Sequence, residues 1–208
     1  MEAMRTVHDP LAMEIKGLIY RYGPVREAEL CFEQYSSRYD SFKNGIVLNA
    51  FDPSLGNAAV MDIGIYPVSL CTFLFGRPDR ISSESEILCN GFEGAGKAVF
   101  SYGSGLDVRI SYSKITVQKA PSYISFDDAR VTIGKISTMD DVLISEEGSE
   151  FTPLMPERPK YNMVYEIKDF AEAVADPSLA DRWNGYSMAA ISCVDEIRRQ
   201  NSVDFNNG

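Results

Sequence analysis

The apolar positions recur at helical spacing at the two ends of the chain and at a spacing of two through its middle. Leu11, Ile15, Leu18 and Ile19 fall on one helical face. Asp9 stands before them as a cap and Pro10 at the first helical position, while Tyr22-Gly23-Pro24 closes the segment. A short β-like start precedes this helix. From 25 to 36 the period becomes two, with Leu30, Phe32 and Gln34 alternating with Cys31, Glu33 and Tyr35. Residues 38–57 keep neither period and contain Gly45, Pro53 and Gly56, which predicts a long loop of the kind that often carries function. An apolar run over 63–75 predicts a central helix. Pro67 is tolerated in its first turns and Gly76-Arg77-Pro78 stops it.

Beyond that helix the alternation is sustained. It predicts strands over 81–88, 96–102, 107–112, 122–126, 130–136, 141–144 and 150–154, separated by Gly, Asp or Pro turns. Gly103-Ser104-Gly105 is a hairpin signal, and connections this short predict an antiparallel meander. Helical spacing returns in Met163, Val164, Ile167, Phe170 and Val174, and again in Met188, Ile191, Val194 and Ile197. Arg198 and Arg199 suit the last turn of that final helix through its dipole, and the polar segment 201–208 reads as a frayed tail. The elements sum to an α+β protein: a large open, mostly antiparallel β-sheet with helices packed on one face.

Composition narrows the partners. Among 208 residues, 30 acids against 20 bases give a net charge of −10, which argues against nucleic acid and anionic membrane. Cys31, Cys71, Cys89 and Cys193 form no C-x-x-C pair and read as buried thiols of a reducing, cytoplasmic compartment. With one histidine, His8, a Cys/His metal site is not expected. The first residues show no signal-peptide h-region, and the apolar stretch over 61–75 is too short to span a bilayer.

Two candidate motifs remain. Gly91-Phe92-Glu93-Gly94-Ala95-Gly96-Lys97-Ala98 approaches a phosphate loop, but Ala98 has no hydroxyl for magnesium and residues 98–102 alternate like a strand. A hairpin turn is the better reading. Asp62 and Tyr66 stand four residues apart at the start of the central helix, where i and i+4 share a face about 5–6 Å apart. A carboxylate beside a phenol can orient a polar substrate and pass a proton. The same pair can be an N-cap, worth about 1 kcal/mol, beside a half-buried tyrosine. Arg38 and Asp40 are candidate walls of such a site, or a surface ion pair. There is no G-x-G-x-x-G between a strand and a helix and no G-x-S-x-G elbow.

Ala59-Val60-Met61-Asp62-Ile63-Gly64-Ile65-Tyr66-Pro67, followed by Leu74-Phe75-Gly76-Arg77-Pro78, resembles the substrate-domain signature of the Gfo/Idh/MocA oxidoreductases, the dihydrodiol dehydrogenase branch above all. Glu2-Ala3-Met4-Arg5 with His8 and Pro10 is similar to the family's stretch after its Glu-Lys-Pro motif, and 28–36 to its first substrate-domain strand. The resemblance implies NAD or NADP as cofactor, a sugar, polyol or diol as substrate, and a homodimer or higher oligomer through the sheet face. It assigns Tyr66 as acid/base, Asp62 as the substrate-orienting carboxylate, and His8 to a substrate-lining segment. A free tyrosine titrates near about 10, so a base role calls for a neighbouring cation; in the family this is the Glu-Lys-Pro lysine. Neither that motif nor a glycine fingerprint occurs here. The resemblance therefore divides the chain into a residual closing strand and helix of a Rossmann domain (1–22), a substrate-binding and oligomerisation domain (23–200) and the tail. It implies the substrate side of an NAD(P)-dependent oxidoreductase, inactive alone. The alternative is a non-catalytic dimeric binding or assembly module.

Overall fold

The computed structural model describes residues 1–155, 157, 159 and 161–203. Its α-helices are α1 (Arg5–His8), α2 (Pro10–Tyr22), α3 (Ser37–Lys43), α4 (Ile65–Phe75), α5 (Met163–Ala175) and α6 (Pro177–Gln200). Its strands are β1 (Glu27–Glu33), β2 (Arg80–Ile87), β3 (Glu93–Ser101), β4 (Asp107–Ser113), β5 (Ser122–Ser125), β6 (Ala129–Lys135), β7 (Asp140–Glu146) and β8 (Thr152–Pro153). The eight strands form one sheet in the order β2-β3-β4-β1-β5-β6-β7-β8. All neighbours are antiparallel except β1 and β4. The α+β class and the open, mostly antiparallel sheet follow from the alternation.

The arrangement is not one continuous meander, however. β1 is the seam between two of them. The chain leaves β1, crosses over through α4, and re-enters at the edge strand β2. The β2-β3-β4 meander then places β4 beside β1, and β5 takes the other side. The return is long enough for a crossover, which lets β1 and β4 run parallel. Leu30 and Phe32 of β1, Val108, Ile110 and Tyr112 of β4, and Val131 and Ile133 of β6 are buried in one core with Leu11, Ile15, Leu70, Phe73, Val194 and Ile197 of the helices. Residues 1–22 belong to this same core through Met4, Val7, Leu11, Ile15 and Leu18.

Local differences have local causes. The β-like start contains the one-turn helix α1. The expected loop over 38–57 begins with α3, capped where the Ser36 hydroxyl accepts from the Arg38 N–H, and continues through two 3₁₀ turns. Its pattern was unreadable because α3 buries no side chain fully. Tyr39 and Phe42 lean on a satellite cluster of Phe51, Phe92 and Ile115 instead. Gly91 and Phe92 lie in the β2–β3 turn, closed by Leu88 N–H to Phe92 C=O, and Lys97 lies on a strand with no helix following. The last helix starts at Pro177, earlier than its apolar period, because the Asp176 carboxylate accepts from the Ser178 N–H. Cys31, Cys71 and Cys193 are buried, and burial pushes the Cys71 thiol up to about 12; Cys89, by contrast, is exposed. Of the polar tail, Asn201 bonds to Ser83 and Val203 is buried, while 204–208 lie outside the described residues. Among the described residues no helix is long and apolar enough to cross a membrane.

Candidate functional site

The central helix does not start as an α-helix. Val60–Gly64 form a π-helical turn that runs directly into α4. Pro67 has no N–H to give the carbonyl four residues back, so the regular ladder cannot run unbroken through this stretch. Single π turns inside helices recur at functional sites. Asp62 lies within the turn, with helical backbone on both sides, and makes no cap bond. Its carboxylate is instead 2.7 Å from the Lys114 ammonium. Tyr66, half-buried in the first turn of α4, meets the Phe32 ring edge-on at 5.4 Å. Its hydroxyl has no hydrogen-bond partner among the described residues.

Both side chains line a polar cavity of about 500 Å³. The sheet supplies much of the rest. β1, β4 and β6 run in the same direction. At their ends the core-facing alternation continues one step too far. Ala28, Leu30 and Phe32 lead to Gln34; Val108, Ile110 and Tyr112 to Lys114; Ala129, Val131 and Ile133 to Lys135. Each of these polar side chains lines the cavity. Lys114 and Lys135 were not singled out from the sequence. A lysine in register with a buried stripe at a strand end is the signal that marks them. Lys114 is buried, yet its ammonium is compensated: it donates to the Ala50 carbonyl at 2.9 Å, pairs with Asp62, and lies about 5 Å above the Phe51 and Phe92 rings.

A buried carboxylate anchors the turn that carries Asp62. Glu93, wholly buried at the start of β3, accepts from the Val60 N–H at 2.8 Å, the Ser85 hydroxyl at 2.6 Å and the Tyr112 hydroxyl at 2.9 Å. Burial pushes its carboxyl above the usual range, against the pull of these three donors and of the Arg198 charge. The Tyr112 ring packs flat on the turn. A Cβ at Gly64 would stand 3.0 Å from its Cγ, and one at Gly96 would collide with its hydroxyl. The motif glycine of the Asp-Ile-Gly-Ile-Tyr run thus lets the turn approach this ring closely.

The other expected residues divide. Arg38, exposed on α3, lines the cavity. Asp40 does not; it accepts from the Tyr35 hydroxyl at 2.6 Å and pairs with Lys43 at 2.8 Å, and these two hold its carboxyl below the usual range. His8 is also elsewhere. Its Nδ1 is 2.7 Å from the Asp169 carboxylate and its ring lies 4.1 Å from that of Trp183. It lines a separate, mainly apolar cavity of about 350 Å³ with Met61, Ile65, Trp183 and Met188, reached from another face of the same helix. Arg5, not expected from sequence, does reach the Asp62–Tyr66 cavity, its guanidinium fixed by two bonds to the Asn162 carbonyl oxygen at 3.1 and 2.6 Å. No cluster of His, Cys, Asp or Glu among the described residues is placed to hold a metal ion.

This geometry brings together a carboxylate, an unbonded phenol and several donors around one cavity, which suits orienting a polyhydroxylated molecule and moving one of its protons. A family model described as the GFO/IDH/MocA C-terminal domain matches residues 21–133. A scyllo-inositol 2-dehydrogenase (NADP(+)) of Bacillus subtilis is 33% identical over 207 residues, covering 99% of this chain and 63% of that protein. A D-xylose 1-dehydrogenase (NADP(+)) of Haloferax volcanii is 25% identical over 198 residues, covering 88% of this chain and 60% of that protein. The chain thus spans about 60% of the length of these relatives. Among solved structures, an aldose-aldose oxidoreductase from Caulobacter crescentus superposes with a TM-score of 0.73 at 16% identity, over 95% of this chain and 60% of that one, a likeness of fold.

Proposed function

The chain belongs to the GFO/IDH/MocA oxidoreductase family, and on that footing we propose that it is the substrate-binding part of an NAD(P)-dependent oxidoreductase acting on a CH–OH or carbonyl group of a sugar, polyol or diol. The observation that carries this reading is the single cavity lined by Asp62, Tyr66 and Lys114, with the tyrosine hydroxyl left unbonded. Tyr66 exchanges the proton of the reacting hydroxyl, and Asp62, held in place by Lys114, accepts a hydrogen bond from a substrate hydroxyl and sets its orientation. The Bacillus subtilis and Haloferax volcanii relatives act on scyllo-inositol and D-xylose, which supports a small polyhydroxylated substrate.

The one parallel pair, β1 and β4, carries no glycine-rich turn opening onto a helix N-terminus, the device that cradles a pyrophosphate. We therefore assign the nicotinamide to a dinucleotide-binding domain other than the fold described here, and expect the chain alone to be inactive. The test is to join this chain in frame to the part of the Bacillus subtilis relative that it does not match and assay inositols and pentoses with NADP. Turnover that falls by about two orders of magnitude or more in Tyr66→Phe, with unchanged thermal stability, is expected of an acid/base; undiminished turnover excludes that role. Tight NADP binding by the chain alone excludes the division of labour.

The outward sheet face supports a homodimer. Arg109 pairs there with Glu27 and Glu29 and donates to the Tyr123 hydroxyl, and Arg130 stacks on that ring. Both signs of charge on one face can pair with the same face of a second copy. Light scattering on the purified chain checks this, and a monomer at micromolar concentration counts against it.

A further inference from the structure

The charge of the Asp62–Tyr66 cavity is opposite to that of the protein. The chain carries a net charge of −10, yet among the described residues Arg5, Arg38, Lys114 and Lys135 line this one cavity against a single acid, Asp62. Two of the four cations are accounted for locally. Lys114 neutralises Asp62 at 2.7 Å, and Arg5 is bonded to Asn162 with Glu166 close enough to feel its charge. Arg38 and Lys135 have no carboxylate partner among the described residues. Elsewhere the cations are mixed, since Arg26, Lys43 and Arg109 each face an acid within 4 Å while Arg77 and Lys119 face none among the described residues; the convergence of four cations on one cavity is what sets this site apart.

The placement of the two unpaired groups is also fixed by the fold. Lys135 projects from the end of β6 in register with buried Val131 and Ile133, so its stem enters from the sheet. Arg38 stands at the start of α3, on the cavity wall contributed by the segment after β1. Asp62 and Tyr66 come from the helix layer. A ligand that fills the cavity thus meets the proton-handling groups on one side and uncompensated positive charge on others. A neutral sugar uses the first set alone.

From this arrangement we infer that the substrate of this site is an anionic polyol, a sugar acid or sugar phosphate whose carboxylate or phosphate is held by Arg38 and Lys135 while its reacting hydroxyl meets Tyr66. The inference rests on the proposed substrate-binding role of the same cavity and adds the charge class of the ligand. Arg38 supplies a planar fork matched to two oxygens, and Lys135 a point charge that follows either anion.

The test is calorimetric titration of the 208-residue chain, at low salt, with D-glucose, D-gluconate, D-glucose 6-phosphate, inorganic phosphate and NADP. Gluconate or glucose 6-phosphate is expected to bind about tenfold or more tighter than glucose. That margin is expected to close in the Arg38→Met, Lys135→Met double variant and to shrink with added salt. Asp62→Asn is expected to weaken the sugar phosphate but not inorganic phosphate. Equal affinity for glucose and its charged derivatives, both lost in Asp62→Asn, overturns the anionic substrate and leaves the polyol site standing. Binding of the charged sugars no tighter than inorganic phosphate overturns it as non-specific attraction. NADP binding that depends on the two cations and is not displaced by glucose 6-phosphate assigns them to the cofactor's phosphates and also overturns it. If no sugar binds in an Asp62-dependent way, the substrate-site reading falls as well.

Discussion

Helices α4 and α5 both carry apolar residues at helical spacing and end in opposite environments. α4 is apolar all round and covered all round: Val68, Leu70 and Cys71 have no exposed surface and Phe73 has 1%. It lies between the sheet and α6, where Phe73 meets Tyr186 at 4.9 Å and Lys16 caps its carbonyl at 2.8 Å. α5 is amphipathic, and it turns its polar side inward. Glu166 is buried, and Asp169 pairs with His8. Met163, Val164, Ile167, Phe170 and Val174, one apolar face, are 49–70% exposed. Periodicity shows that a helix has two faces; it does not show which of them its own chain covers. A helix with no polar face has one stable place, the interior. A contiguous exposed apolar stripe is the pattern of a surface that meets something else.

This contrast can be broken or sharpened by substitution. Truncating α4 has the largest expected effect: Phe73→Ala removes a fully buried ring and is expected to cost about 3–5 kcal/mol in urea unfolding. A loss under about 1 kcal/mol would place α4 outside the core. Gly64→Ala comes next, at about 1–3 kcal/mol, because its Cβ presses on the Tyr112 ring, which is held in place by its bond to Glu93. An unchanged midpoint would show that ring to be loosely held.

Glu93→Gln tests the anchor of the same turn through pH. The Glu93 carboxyl is pushed above its usual range by burial, so the folded state holds its proton more tightly than the unfolded chain does. Its contribution is fully present below the ordinary carboxylate range and is lost as pH rises from there through the raised folded value. Stability of the parent chain relative to Glu93→Gln is expected to fall across that window in urea melts at a series of pH values. Parallel profiles would remove the titration from the account. The smallest effect belongs to α5: Phe170→Ala is expected to change stability by less than about 0.5 kcal/mol in the chain alone. A loss comparable to that at Phe73 would mean that the chain covers this face itself.

The Asp62–Tyr66 pair was legible because its residues sit in a compact local run. Its partners were not. Lys114 comes from the end of β4, Lys135 from β6 and Arg5 from α1, and only strand order brings these ends together. The i,i+4 geometry expected for Asp62 and Tyr66 was also altered, since Asp62 lies in a π turn rather than an α turn. His8, close in sequence to a site-lining segment, lies against Trp183 in another cavity because α1 presents it toward α6. Arg38 was placed on the cavity wall from the character of its segment, while Asp40, two residues on, turns to Lys43.

Alternation of two and spacing near 3.6, with Asp-Pro and Gly punctuation, determined the strands, the long helices and the α+β class, because each depends on which side of an element is apolar. The insertion of β1 between β4 and β5, the π turn, the Lys114–Asp62 pair and the outward face of α5 were decided by tertiary structure. Each joins residues far apart in the chain, or depends on what surface remains uncovered, and no local period records either.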